Sequence, residues 1–191
     1  MQTNRLEAFS DGVLAIAITV MVLEMKKPES ADFEALKSVI PHFISYIISF
    51  VYVGIYWNNH HHLFHAVEKV NGSILWANLA LLFCLSLLPF TTSWMSESYF
   101  ASPPVFLYGI NLLCCAVAYT VLENIAIKYH GKNSRISTIL KNKTKELAAI
   151  AIYLSSIIFA CYFPIISLIG YTIVALIWLI PDKRIEKQLK D

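Results

Sequence analysis

The sequence predicts an all-α membrane protein with six spans, and three observations carry that prediction. Hydrophobic residues make up 57% of the 191-residue chain, above the roughly 45–50% of an ordinary soluble domain. Only 15% of the residues are charged, and the mean hydropathy is +0.59. The apolar residues also fall into runs near the length of about 20 that a bilayer-spanning helix needs, at 9–25, 39–57, 73–94, 105–127, 147–162 and 165–180. The whole of 1–191 reads as one six-helix transmembrane domain, with no internal repeat or low-complexity segment.

The first run opens with polar residues and ends at Glu24, without a small-residue cleavage site, so it is expected to stay as a helix. Pro41 lies near the start of the second run, where its missing N–H matters little, whereas Pro89 lies within the third and predicts a kink there. Pro164 separates the fifth and sixth runs into a tight hairpin. Trp57, Trp76, Trp94 and Trp178 stand near predicted span ends, where amphipathic rings suit the interface. The four cysteines lie inside apolar runs with no metal-binding spacing and read as buried small hydrophobes.

Orientation follows from Lys and Arg. With six spans, twelve of the fifteen basic residues fall on the side of the two termini, and only Lys26, Lys27 and Lys37 fall opposite. A multi-pass protein of the cell membrane with both termini cytoplasmic is expected. The bilayer is then an obligatory partner. The basic residues form no patch interleaved with aromatics, and nothing points to nucleic acid. The basic 128–145 region reads as a solvated segment facing lipid headgroups.

On the first helix Gly12, Ile16, Thr19, Val20 and Leu23 recur at spacings of three and four and share one face. Two readings of that face stay open. It can pack inside the bundle, with Thr19 bonding the carbonyl one turn back. Alternatively, copies of the helix surround an axis, so that Ile16 and Leu23 form apolar rings and Thr19 a hydroxyl ring between them, a construction able to gate by dewetting and replace part of an ion's water shell. By topology the polar residues Arg5 to Asp11, Trp57 to His65, Trp76, Asn78, Glu123 and Asn124 reach one depth. A carboxylate there calls for a partner, and Asp11 is expected to accept from a histidine or an asparagine. Arg5 is six residues away, about 240° around an ideal helix, too far round for a direct pair with Asp11.

Arg5-x-x-x-Phe9-Ser10-Asp11 before an apolar run, together with Trp57-x-x-His60-x-x-Leu63-Phe64, Asn78 and six spans, resembles the transmembrane protein 175 family, the lysosomal and prokaryotic potassium-permeable channels. The resemblance implies a passive cation channel lined by the first helix, with Ile16 as the narrow apolar ring, Thr19 as the hydroxyl ring linked to potassium preference, and Leu23 as a further apolar ring. It also implies that Arg5, Phe9, Ser10, Asp11, Trp57, His60 and Asn78 tie that helix to its neighbours. A single six-span unit implies a homotetramer, with potassium and other monovalent cations as permeants. No metal site or cofactor is expected. No Thr-Val-Gly-Tyr-Gly loop is present, and the six glycines are scattered singly, so selectivity rests on side chains and is expected to be modest.

Two other classes stand against this reading. His60, His61, His62 and His65 are the only histidine cluster, and histidine-rich di-iron membrane enzymes need several, so an enzyme is not expected. A secondary ion or solute transporter is the alternative function, but Pro89 and Pro164 do not occupy corresponding positions of two halves, as inverted repeats would require.

Overall fold

The computed structural model describes residues 3–67, 69–131 and 143–179, and its regular structure there is entirely helical. The elements are α1 (Thr3–Leu23), α2 (Leu36–Ala66), α3 (Gly72–Ser86), α4 (Leu88–Glu97), α5 (Ser102–His130), α6 (Thr144–Ala160) and α7 (Pro164–Leu179). With α3 and α4 as two halves of one interrupted path, the described residues form six helices. Thr3–Leu23, Leu36–Ala66, Gly72–Glu97 and Ser102–His130 are long and apolar enough to cross a membrane, and Pro164–Leu179 is a shorter apolar helix. The chain is a multi-pass membrane protein.

The helix ends have local causes. Asn71 caps α3, its side chain accepting the Ile74 N–H at 2.9 Å and satisfying a donor the first turn leaves free. Pro89 sits in the first turn of α4; because it has no N–H to donate, the ladder stops and restarts around Leu87 instead of bending through it. Prolines also open α5 and α7, where their fixed φ suits a first turn. Gly131 ends α5 at φ 89°, a conformation other residues seldom adopt. Tyr99 and Phe100 hold φ values of 48° and 60° in the α4–α5 turn, where the Phe100 N–H reaches back to the Met95 carbonyl at 2.9 Å. In the α1–α2 loop, Asp32 accepts the Ala35 N–H at 2.8 Å and the Ser30 hydroxyl at 2.9 Å, and these bonds hold its carboxyl below the usual range. α2 continues to Ala66, well past the apolar run that ends at Trp57, because asparagine and histidine end hydrophobicity without ending a helix.

α5 is the central helix, packed on α3, α4, α6 and α7, whereas α1 lies at one edge against α2, α3 and α4. Close contact in the interior depends on small residues and satisfied hydroxyls. Ser49 Oγ lies 2.7 Å from Thr92 Oγ1 and 3.0 Å from the Tyr108 hydroxyl. A Cβ on Gly109 would overlap the Tyr171 hydroxyl, so glycine sets the α5–α7 separation.

One expectation needs correction, and one of the two readings left open for α1 does not hold within the single chain. Of the cysteines only Cys115 is buried; Cys84 is intermediate, and Cys114 and Cys161 lie on the outer surface, where a bilayer accepts a thiol as readily as a core does. The face carrying Gly12, Ile16, Thr19, Val20 and Leu23 does not pack inside its own bundle, since Val20 is only half-buried and the other four residues are exposed. Lys132, Arg135 and Lys141 of the basic segment, and Lys183, Arg184, Lys187 and Lys190 of the tail, lie outside the described residues.

Candidate functional site

α1 divides lengthwise into two faces. Leu6, Ser10, Leu14, Ala17 and Met21, at spacings of four and three, are buried against the neighbouring helices. The opposite side presents Ile16 at 65% and Leu23 at 77% exposure, with Thr19 exposed between them. The Thr19 hydroxyl donates to the Ala15 carbonyl at 2.9 Å, the bond expected of a helical threonine. Its proton is thus engaged, and the oxygen lone pairs are what the side chain offers outward.

The buried face is fixed by a relay of hydrogen bonds through three helices. Ser10 Oγ donates to the Leu6 carbonyl at 2.8 Å and accepts from Asn78 Nδ2 at 3.0 Å. The Asn78 carbonyl oxygen then faces His60 Nε2 at 2.8 Å. That oxygen can only accept, so His60 carries its proton on Nε2. Ser10, His60 and Asn78 are all essentially inaccessible, and in such a place an unmade bond would be expensive. The sequence supplies this arrangement through Asn78 on α3, whose amide both donates and accepts and so bridges α1 and α2.

A second pair of contacts lies nearer the surface. Trp57 Nε1 donates to Asp11 Oδ1 at 3.1 Å, so the partner of Asp11 is an indole instead of the expected histidine or asparagine. His61 Nδ1 meets Glu7 Oε1 at 3.0 Å. Glu7 was not among the candidate residues, although its place one turn before Asp11 on the same side of α1 is a usable signal.

Arg5 and Phe9 were expected in this network, but both are exposed and neither side chain has a hydrogen bond among the described residues. Glu123 and Asn124 reach a similar depth but turn to other neighbours. Asn124 accepts from Lys143 Nζ, and Glu123 is buried on α5, the helix that also carries Tyr119. Among the described residues, no three His, Cys, Asp or Glu side chains converge as a metal-holding group.

An open groove of about 730 Å³ runs beside the exposed face of α1, between that helix and the α3–α4 path. Glu24 and Glu97 stand at its end nearest the α1–α2 loop, where Ser93 donates to Glu24 at 3.3 Å and Lys26 pairs with Glu97 at 3.1 Å.

Comparison with known proteins places these features in a family. Residues 5–89 match the family described as endosomal/lysosomal potassium channel TMEM175, a segment that includes α1, the Trp57 to Phe64 stretch and Asn78. A potassium channel of Chryseobacterium sp. (strain P1-3) is 56% identical over 191 residues, the full length of both chains. The endosomal/lysosomal proton channel TMEM175 of Homo sapiens is 29% identical over 133 residues, which is 66% of this chain and 25% of the human protein. The crystal structure of a lysosomal potassium-selective channel TMEM175 homolog from Chamaesiphon minutus superposes with a TM-score of 0.79 at 27% identity, covering 92% of this chain and 95% of the other. Full-length identity above one half, together with the family match across the helices that carry the buried relay, makes this chain a member of the TMEM175 family, of the single six-helix prokaryotic kind.

Proposed function

We propose that four copies of the chain assemble about an axis lined by α1 and form a passive channel for potassium and related monovalent cations. The whole chain, 1–191, acts as one channel domain. Ile16 and Leu23 form apolar rings that gate by dewetting, and the Thr19 hydroxyls form a ring between them that stands in for part of an ion's water shell. Ser10, Asp11, Trp57, His60 and Asn78 hold the pore helix against α2 and α3. The basic residues put both termini on the cytoplasmic side of the cell membrane. The chain has no catalytic role and needs no cofactor.

The observation that carries this reading is the outward face of α1: Gly12, Ala15 and Thr19 interrupt its large apolar residues on a helix whose other face is fixed by a buried relay. The names of the bacterial relative and of the solved homologue support potassium as the permeant ion. Animal relatives are named proton channels, so a pH gradient belongs in the same recording.

The test is the reversal potential of purified protein in planar bilayers under opposed potassium and sodium gradients, for the wild type and for Ile16→Asn. Discrete currents that reverse toward the potassium potential, with larger or less selective currents in Ile16→Asn, are the expected result. A silent bilayer from folded protein would shift the assignment to the secondary transporter.

A further inference from the structure

α2, α5, α6 and α7 enclose a cavity of about 30 Å³ to which α1 contributes no residue, so it lies apart from the ion path proposed above. That volume admits a water molecule, or an ion stripped of its water shell, and little more. Tyr52, Tyr56, Tyr119, Thr120, Glu146 and Tyr153 bring polar atoms to its wall, and no lysine, arginine or histidine lines it. Four of the hydroxyl protons are already committed to protein acceptors. Tyr119 donates to the Asn59 carbonyl at 3.0 Å, Thr120 to the Ala116 carbonyl at 2.9 Å and Tyr153 to the Tyr52 hydroxyl at 3.2 Å, while Tyr52 itself donates to the Tyr171 carbonyl. A hydroxyl has one proton, so these four offer the cavity only oxygen lone pairs. Tyr56 is only 8% exposed, yet its hydroxyl has no hydrogen bond among the described residues.

The acid in this wall is left without a donor. Glu146 Oε2 is buried and has no hydrogen-bond partner among the described residues. Glu123, 5% exposed on α5, faces Glu146, and Lys143 faces Glu123 in turn. Lys143 offsets one of the two carboxylates, which leaves Glu146 to be balanced by a single positive charge. A buried charge without a partner is costly. A water molecule would give Glu146 a hydrogen bond but leave its charge in place, whereas a cation supplies the charge and takes up the lone pairs. Hydroxyl oxygens and a carboxylate suit a hard ion, and they can replace its water shell as the oxygens of a selectivity filter do.

We propose that each chain holds one dehydrated monovalent metal cation, potassium or sodium, in this cavity, bound by Glu146 and the oxygens of Tyr56, Tyr119 and Thr120. The ion ties α6 to α2 and α5 and stabilises the bundle behind the pore helix.

Melting in different salts tests the site. The full-length chain in nanodiscs is melted in potassium, sodium and choline chloride at equal ionic strength. Its midpoint should rise by several degrees, saturably, in potassium or sodium over choline, because a ligand bound only by the folded state stabilises it by mass action. The more effective of the two metals is the resident ion. Glu146→Gln keeps the side-chain shape and should abolish the rise, and Tyr56→Phe should increase the half-saturating concentration severalfold. Thr19→Ala, on the proposed ion path, should keep the rise intact. As a second measurement, rubidium located by anomalous diffraction should stand beside Glu146 in every copy of the wild type and be missing there from Glu146→Gln. A rise that survives Glu146→Gln, or that disappears in Thr19→Ala instead, would overturn the site. So would a midpoint equal in all three salts, with a pH dependence that Glu146→Gln removes pointing to a proton in the ion's place, and none pointing to water. These results would leave the channel reading standing, whereas a silent bilayer from folded protein would overturn that reading without touching this site.

Discussion

The outward faces of α1 and α7 are both exposed within one chain, yet they are built of different residues. On α7 the exposed positions are Ile165, Ile166, Ile169, Ile173, Leu176 and Leu179, while its smaller residues Ser167 and Ala175 turn inward. On α1 the exposed positions include Ala8, Asp11, Gly12, Ala15 and Thr19 beside Ile16, Val22 and Leu23. A surface that meets only acyl chains gains nothing from a carboxylate, a glycine and a hydroxyl, whereas a large aliphatic side chain is as comfortable there as in a core. Exposure of Ile16 or Leu23 alone therefore carries no message. The mixture around them does, because it suits a surface that meets water, ions and other helices.

The contrast can be broken from the buried side first. Leu14→Ala removes packing from a position only 2% exposed. Such a core truncation lowers stability by about 2–5 kcal/mol, read as a drop in the thermal or denaturant midpoint of the detergent-solubilised protein. Asn78→Leu keeps the volume but strands the His60 N–H and removes the donor to Ser10, a loss of about 1–3 kcal/mol, with a larger fall in channel assembly than in helix content. Trp57→Phe deletes a half-exposed bond to Asp11, so about 0.5–1.5 kcal/mol is expected in the same assay.

The exposed face should behave in the opposite way. Ile16→Ala should change the stability of a single chain by less than about 0.5 kcal/mol, as surface substitutions do, yet raise conductance by widening the apolar ring. Thr19→Ala, which also frees the Ala15 carbonyl from its extra bond, should leave the melting midpoint unmoved and bring the potassium-to-sodium permeability ratio toward one, checked by reversal potential. A large stability loss at Ile16 or Thr19 would make this face ordinary core.

The sequence exposed the helices more readily than their partners. Six apolar runs are legible because a bilayer allows few alternatives to a long apolar helix, and Pro89 marks the interruption because its missing N–H is a local fact. The two faces of α1 follow from spacing, but spacing alone left open whether the Ile16–Leu23 face turned into the bundle or away from it. Which group meets Asp11 depends on the rotation of α2 about its own axis, and a turn of about 100° moves the contact to the next residue in sequence. Trp57 therefore took the place expected for a histidine or an asparagine. Arg5 shares the depth of the network without touching it, because depth follows from topology and contact from side-chain direction. The α1–α4 groove was not legible, since it arises where the chain stops and restarts around Leu87 and sets α4 beside α1.

The most direct test of the central claim asks whether α1 meets water where α7 meets lipid. Thr19→Cys and Ile169→Cys would each be made in a chain whose exposed Cys114 and Cys161 are replaced by serine, then treated during recording with a charged, membrane-impermeant thiol reagent. Thr19→Cys should be modified and its current blocked, while Ile169→Cys conducts unchanged. Equal inertness of the two positions in a conducting channel would contradict it and place the ion path elsewhere in the molecule.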